Sequence, residues 1–548
     1  MKLNYKRTIF VGFAFFLICA FWQAYDNTIP LILTNKFGLS QTFSGVIMAL
    51  DNVLALFMLP LFGAISDRCN AKMGKRTPFI LIGTLIAAVM FVGLTFADNA
   101  QMRNIADVTK IDSPEALQVI YTAEASDTLK TPEGENYILQ DVFTQEDFTK
   151  ICSELQRNGE SVCNADTQEP YALSDRFTDA ERTDVQKHEE GKAFTNPHYS
   201  DYVVPARQAY AWKKTAESPT TLVFFIILLL VVLISMAIFR SPAVALMPDV
   251  TIKPLRSKAN AVINLMGSAG GIVVLGLGIV FATSSVKNSM MSYTLYFAVI
   301  AAIMLIALGL FLWQVREPQF VREMQEESRR FGISEEEKEV PGEKRKLGKA
   351  ERRSLLFLLA SIVLWFMGYN AVTSKYSVYA SNILNKDYNL TLIIAQAAAI
   401  VSYLPVGLIS SKIGRKKTIL AGIVMLTTSF SVICFLRENS PTLLMNCMFA
   451  LAGIGWATIN VNSFPMVVEM CRGGDVGKYT GIYYTASMAA QTVTPMLSGY
   501  LMDKLGMTTL FPYAALMAGA AFVTMLFVRH GDNKPTAKRG LEALDVED

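Results

Sequence analysis

Apolar runs of about 20 residues, the length an α-helix needs to cross a bilayer, recur along this 548-residue chain, among them Ile9 to Ala24, Leu222 to Phe239 and Tyr293 to Trp313. A soluble core cannot hide that much apolar side chain, because 52% of the residues are hydrophobic and only 18% are charged. A cytosolic enzyme, a nucleic-acid binder and a disulfide-stapled secreted domain are therefore excluded, and an all-α polytopic membrane protein is expected. Gly, Pro and charge punctuation places spans near 8–33, 40–65, 78–97, 219–239, 258–283 and 291–313. After a break, six more fall near 354–383, 389–411, 417–436, 441–466, 478–502 and 508–528. The basic start of the chain imitates a secretory signal, but the run is long and has no small-residue cleavage site before Trp22 and Asp26, so it reads as a retained first span.

Orientation follows from the short loops. Lys2, Lys6 and Arg7 precede span 1; Arg68, Lys72, Lys75 and Arg76 follow span 2; Lys253, Arg256 and Lys258 follow span 4; Lys412, Arg415, Lys416 and Lys417 follow span 8. All fall on one side, which the positive-inside rule makes the cytoplasm of a cell-membrane protein with both termini inside. Residues 1–97 and 219–313 then form one six-helix bundle and 354–528 the other. Residues 314–353 form a charged, partly helical cytoplasmic linker and 529–548 a cytoplasmic tail, while 98–218 form an insert outside the cell. The insert carries 12 Lys and Arg against 23 Asp and Glu, an acidity that agrees with this orientation. It also holds His188, His198, Cys152 and Cys163. The two cysteines are either an extracellular disulfide or two free thiols, and no metal-ligand spacing surrounds them.

The halves echo each other. Pro60-x-x-Gly63, Ser66-Asp67-Arg68 and Gly74-Lys75-Arg76 correspond to Pro405-x-Gly407, Ser411-Lys412 and Gly414-Arg415-Lys416-Lys417, and Pro248-Asp249 through Lys258 corresponds to Pro465 through Glu469 to Lys478. Two six-helix repeats are the arrangement of major facilitator transporters. The stretch from Pro60 to Ile80 resembles the P-x-x-G-x-x-S-D-R-C…G-R-R-R-P-F-I stretch of plant sucrose transporters. Ala245 to Asp249 with Arg256 to Ala261 is similar to the A-L-x-x-D…R-x-A-N-A segment of the same carriers. The resemblance reaches more loosely to the glycoside-pentoside-hexuronide:cation symporters, and the insert matches neither group. It implies a major facilitator fold and proton-coupled uptake of a glucoside such as sucrose or maltose. Two departures stand out: Leu233 occupies the position of the plant carriers' proton-accepting Asp in span 4, and Ala55 and Leu59 occupy the positions of the sodium-holding acids of melibiose-type relatives. A coupling cation, H+ by expectation, must therefore use another acid.

An Asp in the middle of a membrane helix costs roughly 2.5–3.5 kcal/mol on insertion scales and is by default a functional hypothesis. Asp26 in the outer half of span 1 and Asp51 near the middle of span 2 qualify. A carboxyl withdrawn from water binds a proton more readily, which suits both to proton coupling; the alternative is that each bonds a neighbouring helix. Trp22, Tyr25 and Asp26 share one helix face, with Gln23 beside it and Asn52 adjoining Asp51. Trp365, Tyr369, Asn370 and Lys375 lie along span 7, and Trp456 and Asn460 are one turn apart on span 10. In the major facilitator arrangement spans 1, 4, 7 and 10 line the cavity. Aromatic rings there would stack on the C–H face of a sugar while Gln, Asn and Asp satisfy its hydroxyls; packed or lipid-facing aromatics are the plainer reading. Lys375 either snorkels to the interface, pairs with Asp26 or binds an anionic substrate. Gln491 on span 11 is a further candidate for the cavity. Arg240 is expected at an inner gate or snorkelling. Asp67, Arg68, Gly74, Lys75 and Arg76, Asp249 with Arg256, and Glu469 with Arg472 or Lys478 are expected as loop latches that bias two states.

The expected function is a sugar symporter working by alternating access, not an enzyme, with no organic cofactor or metal. A small-molecule sugar and the lipid bilayer are its expected partners; nucleic acid is not, and a monomer is expected. Sodium coupling, a non-sugar solute, or a membrane receptor using the insert are the alternatives.

Overall fold

The computed structural model describes residues 3–106, 129–130, 136–137, 204–252, 255–284, 290–331, 348–384, 386–437, 440–468 and 476–530. The chain is almost wholly helical there. The first half contains α1 (Tyr5–Leu31, continued as a π-turn through Lys36), α2 (Gln41–Asp67), α3 (Thr77–Asn104), α4 (Val204–Glu217), α5 (Thr220–Val250), α6 (Arg256–Val280), α7 (Thr294–Gln314) and the polar helix α8 (Glu317–Arg330). The second contains α9 (Lys349–Tyr379, with a π-turn through Leu384), α10 (Tyr388–Ile413), α11 (Arg415–Ile433), α12 (Thr442–Val468), α13 (Val476–Leu505) and α14 (Leu510–Leu526). A two-residue antiparallel pairing, Leu129–Lys130 with Asn136–Tyr137, is the strand structure among the described residues.

Local chemistry sets the helix ends. Asn4 accepts the amide of Arg7 at 3.1 Å to start α1, and Ser40 accepts that of Phe43 at 3.2 Å to start α2, each satisfying one of the first-turn donors that have no intrahelical partner. Gly74 turns the chain with φ +114, a conformation that favours glycine, and a side chain there would strike Glu317. Among the described residues ten helices are long and apolar enough to cross a membrane. The expected eighth span corresponds to α10 and the eleventh to α13.

Each half has its own core. Phe21, Tyr25, Phe91, Leu229 and Phe297 anchor the first, and Trp365, Tyr376, Tyr379, Phe430 and Phe511 the second. The outer surface is itself apolar: Phe57, Phe96, Val401 and Phe435 are largely exposed, as side chains facing hydrocarbon are. The halves meet along α2 with α13, α6 with α10 and α1 with α9.

One expected boundary shifts. The third helix does not stop at residue 97 but runs to Asn104, with Asp98 and Gln101 fully buried. In the linker, α8 docks against the first half through Arg7. That guanidinium donates to the carbonyls of Val250 (2.9 Å) and Phe320 (2.7 Å) and pairs with Glu323 at 3.2 Å.

Candidate functional site

Five helices converge on a cavity of about 190 Å³ between the halves, lined by Trp22, Asp26, Met48, Asp51, Asn52, Arg240, Asn370, Thr373, Ser374, Gln491 and Pro495. Helical spacing explains the set. Residues 22 and 26 of α1, 48 with 51 and 52 of α2, 370 with 373 and 374 of α9, and 491 and 495 of α13 lie three and four positions apart from the first of each set, so each helix turns one stripe inward. The first half supplies the charges and the indole; the second supplies neutral amides and hydroxyls. Asn52 Nδ2 donates to Asp51 Oδ1 at 2.8 Å. The Arg240 guanidinium lies 5.7 Å over the Trp22 ring and makes no ion pair with either aspartate among the described residues. Trp22 Nε1 and Asn370 Nδ2 are buried and have no hydrogen-bond partner among the described residues. Carboxylates facing neutral amides and hydroxyls form a surface that can hold a polar, hydroxyl-rich solute.

Other expected site residues lie outside this lining. Tyr25 is fully buried behind Trp22, its ring edge-on at 5.3 Å. Gln23 bridges the halves, accepting from Gln396 Nε2 at 2.6 Å. Trp365 does not face the cavity: it is 0% exposed in the apolar core of the second half. Tyr369 and Trp456 stack on each other at 3.6 Å and 3°, with Phe366 edge-on to Trp456. Asn460 is half-buried, and its carbonyl accepts from Ser463.

Lys375 neither snorkels nor meets Asp26. It is 0% exposed, and its ammonium donates to the carbonyl of Gln41 at 2.7 Å. Beside it, Asp503 of α13 accepts the amides of Gln41 (2.8 Å) and Thr42 (2.7 Å) and the Thr42 hydroxyl (2.5 Å). A carboxylate from one half thus caps the α2 helix of the other, where helix-end donors and dipole favour a negative charge. Backbone contact tightens this clasp, because a side chain on Gly45 would meet the carbonyl of Pro495 and one on Gly499 that of Gln41. At the same end of the bundle Ser284 donates to Asp387 (2.8 Å) and Asn389 to Thr283 (3.1 Å), joining α6 to α10.

The opposite end carries the other charge network. Arg76 bonds Asp67 (2.5 Å), Asp249 (2.8 Å) and the Ser66 hydroxyl (2.5 Å). Partial burial would lower its pKa, but Asp249 and Asp67 outweigh burial and hold it above the ordinary guanidinium value. Asp249 therefore has Arg76 as its partner, while the Arg256 side chain lies outside the described residues. Arg68 and Lys75 are exposed, and Lys75 contributes its backbone amide. Glu317 accepts that amide (2.7 Å) together with the Thr77 amide and hydroxyl (both 2.8 Å), capping α3. Arg240 is not in this network but one wall of the cavity. Glu469, Arg472, Cys152, Cys163, His188 and His198 lie outside the described residues.

Asp503, Glu317, Gln396 and the pair Lys36–Asp98 were not legible as functional or structural centres in the sequence. Lys36 Nζ contacts both Asp98 oxygens (2.6 and 2.7 Å) and the Met291 carbonyl (2.8 Å), with both side chains fully buried. All but Gln396 sit at or beyond the ends of apolar runs, where hydropathy marks a loop or an interface.

The model of the MFS_1 like family matches residues 10–513. Among curated proteins, a 77-residue stretch is 36% identical to solute carrier family 45 member 4 of Mus musculus. A 60-residue stretch is 33% identical to sucrose transport protein SUC3 of Arabidopsis thaliana, and 108 residues are 30% identical to proton-associated sugar transporter A of Homo sapiens. These stretches cover 13%, 11% and 19% of this chain and only 10%, 10% and 14% of the relatives. Whole-chain likeness appears in folds. The inward-open xylose transporter XylE of E. coli superposes with a TM-score of 0.57 at 13% identity over 99% of both chains. A D-xylose-proton symporter superposes with 0.54 at 15% identity over 96% of this chain and 99% of that one.

Proposed function

The chain belongs to the MFS_1 like family, a group of multi-pass membrane proteins with the major facilitator fold, and on that footing we propose that it carries a small sugar together with a proton by alternating access. The observation that carries this reading is the cavity between the halves, with Asp26 and Asp51 on one wall and Asn370, Thr373, Ser374 and Gln491 on the other. A solute held there touches both halves at once, which is the geometry in which rocking one half against the other moves a fixed site from one side to the other. Carboxylates inside the membrane serve proton relays, and the hydroxyl and amide groups opposite satisfy a sugar that has left water. The named sugar carriers among the relatives point to the same solute class.

With the basic loops inward, the clasp of Lys375, Gln41 and Asp503 lies at the outer mouth. It is the outer gate, closed here, and the Arg76, Asp67 and Asp249 network keeps α2, α3 and α5 together as the inner mouth changes. The polar segment between α3 and α4 is an accessory on the outer side. Reconstituted vesicles test the reading. Labelled sucrose, maltose, glucose and xylose are offered under an imposed pH gradient, and accumulation above equilibrium of at least one is expected. Asp26→Asn or Asp51→Asn should abolish accumulation and spare exchange of unlabelled for labelled sugar. Accumulation driven equally by sodium alone, or undiminished in both variants, refutes the proton assignment, and absence of uptake for the whole panel refutes the sugar.

A further inference from the structure

Resting on that transport reading, we infer that the cavity is built to gain one positive charge with each occupant, so that a neutral sugar enters with a proton whereas an amino sugar of similar size enters as its ammonium form with no extra proton. The argument is one of charge. Two carboxylates, Asp26 and Asp51, face a single guanidinium, Arg240, and the other lining residues are neutral. Arg240 is ion-paired to neither among the described residues and sits against the Trp22 ring.

The surrounding elements do not restore the balance. From α1 the neighbour behind Asp26 is Tyr25, a neutral phenol. From α9 the ammonium of Lys375, one residue beyond Ser374, is turned onto the Gln41 carbonyl. From α13 the lining is Gln491 and Pro495, and Asp503 further along is bonded to the start of α2. With both aspartates ionised the lining carries a net charge of −1, and a net charge at membrane depth is costly until a proton or a cation neutralises it.

Either source of charge fits the same walls. A proton on one aspartate leaves a neutral hydroxyl-rich solute to bond Asn370, Thr373, Ser374 and the Trp22 indole. An ammonium group, three donors and no acceptor, finds its acceptors in the carboxylates and an aromatic face in Trp22, which attracts cations. Its hydroxyls then bond Asn52, Thr373, Ser374 and Gln491 on the same walls. The preferred second substrate class is therefore a cationic amino sugar, and an acidic sugar is disfavoured because it would add to the negative charge.

The test compares D-glucosamine with D-glucose and the uncharged size control N-acetyl-D-glucosamine, titrated into the purified full-length protein at about pH 5.5 and about pH 7, where the sugar amine stays largely protonated. The two neutral sugars should lose affinity as pH rises and glucosamine should not. One linked proton makes the glucosamine-to-glucose affinity ratio rise by up to about tenfold per pH unit. In Asp26→Asn or Asp51→Asn, whichever removes the shared proton, the ratio should become independent of pH. In vesicles, glucose entry should acidify the lumen and glucosamine entry should not. A ratio constant with pH in the unaltered protein, a ratio unchanged by both substitutions, or no glucosamine binding overturns the inference. If the ratio behaves as stated but no neutral sugar accumulates under a pH gradient, the sugar-proton reading fails and the cation preference stands; proton-driven sugar accumulation with a flat ratio gives the converse.

Discussion

Replacing Asp503 with Asn should unlatch the two halves at the end where α2 begins. The carboxylate accepts three hydrogen bonds, from Gln41 N, Thr42 N and Thr42 Oγ1, at 2.8, 2.7 and 2.5 Å. Asparagine keeps one oxygen and turns an N–H group toward donors, so at least one bond is lost and the charge that favours the helix start disappears. A bond to a charged group contributes about 1.5–3 kcal/mol and a charge at a helix N-terminus about 0.3–1 kcal/mol. Asp503 is only half-buried, so water recovers part of this, and a net loss of about 1.5–2.5 kcal/mol is expected. At 1.4 kcal/mol per tenfold, the open population at this mouth should rise about 10- to 60-fold. The measurement is the labelling rate of Ser374→Cys, on the cavity wall, by a membrane-impermeant thiol reagent added outside, in a background lacking the native cysteines. The rate should rise by roughly that factor in Asp503→Asn, up to the rate of a fully open mouth. Labelling within twofold of the parent, in a protein whose melting temperature is unchanged, refutes the clasp as a gate.

Gly45→Val and Gly499→Ala should act in the same direction, because each added side chain meets a carbonyl of the facing half; a transport rate equal to the parent's in both contradicts the close approach. Asp98→Asn strands the buried Lys36 ammonium and should cost about 3–5 kcal/mol, the usual penalty for breaking a buried pair, read as a fall in melting temperature in detergent. Lys36→Met with Asp98→Leu should recover much of it, and a double variant as unstable as the sum of the singles argues against the pair. Glu317→Ala removes the cap of α3 and should cost about 0.5–2 kcal/mol and raise protease cleavage between Arg68 and Lys75; unaltered cleavage speaks against the docking of α8. Trp22→Ala removes the ring from the cavity wall, so sugar affinity should fall about tenfold, and an unchanged affinity removes Trp22 from the contact set.

Membrane spans and the stripe that faces the cavity were legible in one dimension. An apolar run of the right length must be a helix in hydrocarbon, since every backbone donor and acceptor needs a partner there, and a mid-helix carboxylate is costly enough to mark a candidate. Asp26 and Asp51 announce themselves in this way, and Trp22, Asn52, Asn370 and Gln491 follow as polar or aromatic groups at helical spacing on the same or facing spans. Rotation and depth were not legible. Trp365 lies on the same helix as Asn370 yet is sealed in the core of the second half, and Tyr369 with Trp456 close on each other, because helix-helix packing, not residue type, selects the inward stripe. Pairing across long separations was equally hidden. Nothing near Lys375 shows that its partner is a carbonyl 334 residues away, nor does Lys36 announce Asp98, and Arg240 passes for a gate until the fold sets it under Trp22. Composition and hydropathy are sums over neighbours in the chain and determine what must be buried. Which buried charge answers which depends on how separate helices pack and turn against one another, and that was decided only when the two halves closed around the cavity.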